Sequence, residues 1–163
     1  MSVPESTSRV PIYADRTTGE KFADAPTMVN AYLARFAKRA ALVDTAGAPL
    51  VPSLDETHYA HVQRGSATIG INVLEARGVL MMFSPIMAVP ITGREAFFRR
   101  VLELSFLTTS DAAFAINAST DEVVVRVLRR LSALDYEEFE DLVATVGDVA
   151  DHWDDTLIRD FGT

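Results

Sequence analysis

The sequence predicts an α+β fold: a largely antiparallel sheet of four to five strands with three helices packed on it. Three observations predict it. Apolar residues recur at steps of three and four near the start, middle and end of the chain, whereas between these stretches apolar and polar residues alternate. Short turn-forming clusters join the alternating stretches, as hairpins require. With 163 residues, the chain fits one domain able to bury a hydrophobic core without disulfide or metal staples.

Residues 1–26 are rich in Ser, Thr, Pro and charge and show no apolar periodicity. They read as a flexible N-terminal arm, with Val10, Ile12 and Tyr13 able to dock it. Residues 27–163 read as a single domain. From Thr27, Met28, Val29, Tyr32, Leu33, Phe36, Ala37, Ala40 and Ala41 follow helical spacing, ending near Ala46-Gly47, where glycine supplies a C-cap. Residues 48–56, with Pro49 and Pro52, read as a connector, and a first strand falls in or after 57–63.

Ala67, Ile69, Ile71 and Val73 alternate with wetter neighbours, giving a strand with one buried face. Glu75-Ala76-Arg77-Gly78 then reads as a hairpin turn into Val79–Ala88, a strand apolar on both faces. Thr92 and Glu95 have the spacing of a capping box, predicting a helix over 93–107. Phe114 and Ile116, then Val123, Val125 and Val127, alternate around the turn residues 117–121 as a second hairpin. Asp135, followed by Glu137 and Glu138, has the form of a helix start. The last helix sets Phe139, Leu142, Val143, Val146, Val149, Ala150, Trp153 and Leu157 against an acidic face.

Composition excludes several function classes. Net charge is −8 and the pI about 4.8, so the average surface repels phosphate and no nucleic-acid partner is expected. The N-terminus carries no signal-peptide pattern, and the longest apolar run, interrupted by Pro85 and Pro90, is too short for a membrane span. Cysteine is absent, which removes thiol nucleophiles and thiolate metal sites and suits the cytoplasm. No nucleophile elbow, phosphate loop or dinucleotide fingerprint is present. His58 and His61 lack further ligands for a metal, and His152 beside Trp153-Asp154-Asp155 sits on what reads as a solvated acidic helix face. No catalytic residue, cofactor or metal is expected, which leaves binding of another protein.

Two apolar excesses mark where binding would occur. Phe97, Phe98, Val101, Leu102, Leu104 and Phe106 spread over about 200° of their helix, about twice what one sheet covers, and a second copy of the chain would cover the surplus. Cover by another helix of the same chain is the alternative. Phe97, Phe98, Val101 and Leu102 are the expected dimer interface. Met81, Met82 and Phe83 form a soft apolar cluster of the kind that accepts varied ligands; an ordinary central strand is the alternative. With Met28 and Tyr32 of the first helix they are the expected client-binding residues. Charge is uneven, with ten acids against one Arg over 135–160 and Arg35, Lys38 and Arg39 on the first helix. An acidic helix that keeps the protein soluble accounts for this more simply than a basic-partner site.

The order of elements over 27–161 resembles the type III secretion chaperone family, of the Tir chaperone (CesT) kind, and the related YbjN-like domains. The resemblance rests on residues 97–107 leading into Phe114-Ala115-Ile116, on Val123–Arg130, and on Leu134-Asp135-Tyr136-Glu137-Glu138-Phe139. It implies a cytoplasmic, acidic, often homodimeric domain that holds a client segment, typically a secretion effector's, in extended form. The YbjN-like side implies instead a regulatory or structural partner in a larger assembly. The long arm and the proline-bearing connector over 48–64 depart from the family pattern.

Overall fold

The structure, a computed structural model, describes residues 12–107 and 109–162. Among them, β3 (Tyr59–Arg64), β4 (Ala67–Leu74), β5 (Val79–Ala88), β6 (Ala113–Asn117) and β7 (Glu122–Arg130) form one five-stranded antiparallel sheet ordered β3-β4-β5-β7-β6. Before it come a two-stranded hairpin, β1 (Tyr13–Ala14) and β2 (Lys21–Phe22), and helix α1 (Ala25–Arg39). Helix α2 (Arg94–Leu107) separates β5 from β6, and α3 (Tyr136–Phe161) closes the chain.

The expected α+β class, strand number and three helices are all present. Period-two patterning sets the layers: Ile69, Ile71, Leu80, Met82, Val125 and Val127 are buried on one face and join Met28, Leu33, Phe139 and Val143 of the helices in one core. Helix α2 sits on the same side, its Phe97 ring edge-on to Phe161 at 5.2 Å and Arg100 over the Trp153 ring. Among the described residues the opposite face of the sheet carries no helix.

Local signals place most boundaries. Helix α1 starts at Ala25 because Asp24 accepts from the Thr27 N–H at 2.8 Å, and Pro26 is tolerated in the first turn. It stops at Arg39, well before the expected Gly47, because Ala41 turns left-handed (φ 49°) and the Leu42 N–H returns to the Ala37 carbonyl. Thr92 stands one position too early for the expected capping box. The residue whose carbonyl accepts from Phe97 is Gly93, which has no side chain to cap with. Pro85 is accommodated in the central strand at a register shift between Pro85 and Met87.

Of the arm expected over 1–26, residues 1–11, including Val10, lie outside the described residues. The remainder is a packed hairpin, and its anchor is a buried acid. Asp15, 1% exposed, accepts from the backbone N–H groups of Thr17 and Thr18 in its own turn and of Tyr136 at the start of α3. Burial would raise its pKa, but those donors outweigh burial and hold it below the usual 3.8. Arg16 reaches the Ala133 carbonyl and the Asp135 carboxylate, while Asp135 caps α3 through the Glu138 N–H. Phe22 packs edge-on to Tyr32, Tyr13 packs against the core, and Ile12 is exposed.

Candidate functional site

The bare sheet face and the β6 edge beside it carry part of the apolar surface that the core leaves over; another part, with Val43, Leu50 and Val51, lies beside α1. Antiparallel register aligns His61, Gly70, Phe83, Arg126 and Ala113 in one row across all five strands. Met81 lies in the next row, between Asn72 and Leu128. Gly70 has no Cβ, and the Phe83 ring occupies that space, 2.7 Å from where a Cβ would stand, with Tyr59 at 3.0 Å. Tilting the ring toward β4 leaves room on the β7 side. There a groove of about 290 Å³ opens between Met81, Phe83, Val124, Arg126, Ala115 and Asn117.

A second groove, of about 430 Å³, runs between α2 and β6 and is lined by Phe98, Val101, Leu102, Phe114, Ile116 and Val123. Ala115 and Ile116 line both grooves, so the two meet along β6. Among the described residues that strand pairs only with β7, which leaves its other edge free. Leu102 (68% exposed), Phe106 (82%) and Ile116 (49%) stand in solvent around it. Such a patch on a free edge is a docking surface by its physics.

The residues expected at the sites divide by face. Met81 and Phe83 are half-buried on the outer face and line its groove together. Met82, Met28 and Tyr32 do not join them: all three are buried in the core. Met82 alternates with its neighbours and so points the other way. Met28 and Tyr32 sit on the inner stripe of α1. The Tyr32 hydroxyl donates to the Leu134 carbonyl, and burial, then the nearby Asp15 carboxylate, raise its pKa. Of the expected interface, Phe97 and Val101 are also buried, Phe98 is half-buried and Leu102 is exposed. Leu102 therefore heads the surface, joined by Phe106 and Ile116. Sequence reading placed Phe106 within the α2 excess but not Ile116 at the edge. It also passed over Arg126, a single charge at an alternate position within Val123-Val124-Val125-Arg126-Val127, which was the available signal.

His58 lies 3.5 Å from Glu75 in a turn, His61 stacks beside Tyr59 on β3, and His152 meets the Trp153 ring on α3. No three His, Asp or Glu side chains converge as a metal site would need among the described residues. Among those residues no helix is long and apolar enough to cross a membrane.

Comparison with known proteins gives this surface its context. The model of the Tir chaperone protein (CesT) family matches residues 45–154, well over half the chain. The chain belongs to the Tir chaperone protein (CesT) family. A chain of the ExsC-ExsE complex is 25% identical, with a TM-score of 0.64 over 82% of this chain and 96% of that one. A chain of the heterodimeric ExoU-SpcU complex, from the type III secretion system of Pseudomonas aeruginosa, has the same fold at 14% identity, TM-score 0.54, over 77% and 93%. So does a chain of the Yersinia pestis type III secretion chaperone SycH bound to a YscM2 fragment, at 12% identity, TM-score 0.51, over 76% and 97%. No curated protein sequence matches the chain. As a CesT-family chaperone, the protein is a non-enzymatic binding domain whose partner is another protein. The secretion-chaperone side of the resemblance is the one these matches fall on.

Proposed function

We propose that the protein is a cytoplasmic chaperone that works as a homodimer and holds an extended segment of a secretion effector. Family membership is the observation that carries this reading, and the similarity to a chain of the ExsC-ExsE complex supports it. The surface supplies the physics. A five-stranded sheet with one bare face and a free apolar edge can hold a segment without demanding that it fold, because pockets for alternate side chains and backbone pairing tolerate varied sequence.

Dimerisation is proposed through α2 and β6, centred on Leu102, Phe106 and Ile116, with Phe98 behind them. Two copies related by a twofold axis would bury the same patch on each side. Met81 and Phe83, on the outer face, are proposed client contacts.

Affinity purification of tagged protein from its native cell, with mass spectrometry and light scattering of the eluate, tests the reading. One dominant partner, held by two copies through a protease-protected stretch that is cleaved when free, is the expected result. A folded partner with a compact footprint, or no partner at all, would remove the chaperone assignment.

A further inference from the structure

Arg126 occupies an unusual position for a cation. It is half-buried in the outer-face row, flanked by Phe83 on β5 and Ala113 on β6, and it lines the groove with Met81, Val124 and Ala115. Among the described residues no carboxylate lies within ion-pair distance of it. The contrast with Arg129, three residues on, is direct: that guanidinium is bound by both Asp111 and Glu138. In a chain of net charge −8, acids are abundant, and Glu122 stands on the same face of β7, yet none of the described acids pairs with Arg126. A half-desolvated guanidinium in an apolar groove attracts a carboxylate more strongly than one in open water, and its planar fork receives it with two parallel hydrogen bonds.

We propose that Arg126 is a specificity residue of the outer-face groove, selecting an extended client segment that carries an apolar residue and an acidic residue two positions apart. The spacing follows from the strand. Val124 and Arg126 are alternate residues of β7 on one face, about 7 Å apart. A segment lying extended along β7 repeats at the same interval, so one side chain enters the apolar end of the groove beside Val124 and Met81 while the next on that face meets Arg126. Gly70 contributes indirectly, since it draws the Phe83 ring toward β4 and keeps the groove open.

The proposal rests on the holding function and is tested separately from it. Two fluorescein-labelled peptides, each alternating serine with aliphatic residues, carry one central glutamate or, in the twin, glutamine, two positions from a leucine. Fluorescence anisotropy with the full chain is expected to show the glutamate peptide binding about tenfold tighter, the worth of one charge-assisted contact. Arg126→Gln should erase that difference, so that the two peptides bind with equal affinity. Equal affinities on the unaltered protein overturn the proposal, as does a preference that survives Arg126→Gln. Failure of both peptides to bind also overturns it, whether a second copy or nothing covers the groove. If Arg126→Gln does not fold, the two peptides on the unaltered protein still decide. A client that co-purifies equally with Arg126→Gln sinks the role of Arg126 and leaves the chaperone reading standing, whereas absence of any client from the unaltered protein sinks the reading itself.

Discussion

A methyl group added at Gly70 would stand 2.7 Å from the Phe83 ring, which must then swing away. Gly70→Ala is therefore expected to destabilise the protein by about 1 kcal/mol, although glycine within a strand ordinarily costs about that much relative to alanine. In a Phe83→Ala background the 2.7 Å obstruction is gone and only the Tyr59 ring, at 3.0 Å, still crowds the site, so the same substitution should cost less. Urea unfolding of the four proteins measures the coupling, and equal effects of Gly70→Ala in both backgrounds would refute the packing account. Asp15 makes a second residue-scale prediction. Its folded pKa lies below the ordinary 3.8, so its contribution is fully present above that value and is lost as pH falls through the folded one. Asp15→Asn should weaken the fold by about 1–3 kcal/mol near neutral pH, and the gap to the unaltered protein should narrow as pH falls below 3.8. A gap independent of pH would mean that the carboxylate's charge is not what holds the hairpin.

Among the elements, those with a periodic signal of their own were legible in the sequence, and those defined by a distant partner were not. Helix α3 shows both halves of this. Its stripe and its Asp135 cap are local and were read correctly, but the Tyr136 N–H is satisfied by Asp15, 121 residues away, which no window of sequence displays. The same contact explains why residues 12–24 looked like an arm: two-residue strands have no period to detect. The candidate site was half legible for a related reason. Methionines at 81 and 82 look alike in composition, and only the strand's alternation separates the groove-lining Met81 from the core residue Met82. Likewise the apolar excess on α2 was visible, but which part of it faces Phe161 within the chain and which stays in solvent depends on where α3 ends. Phe97 and Val101 were drawn into the core, and Leu102 and Phe106 were left outside.

At the scale of the whole molecule, that division makes the dimer proposal testable without damage to the fold. Leu102→Asp with Phe106→Asp changes two side chains already in solvent, so circular dichroism and melting should stay close to those of the unaltered protein. Light scattering should report the 17.8 kDa of a single chain. An unchanged dimer would place the interface elsewhere, for example on the bare sheet face. Charges at Phe98 and Val101, by contrast, would strike half-buried and buried positions and confuse dissociation with unfolding. The hairpin clasp bears on how such a molecule is made. Asp15 leaves the ribosome early, and the backbone it binds at Tyr136 emerges only after most of the chain has been synthesised, at about 5–20 residues per second. The sheet can assemble before then, and Phe22 can rest on Tyr32 of α1, but the Asp15 carboxylate lacks its Tyr136 donor until the last helix begins, so closure of the clasp is a late event in biosynthesis.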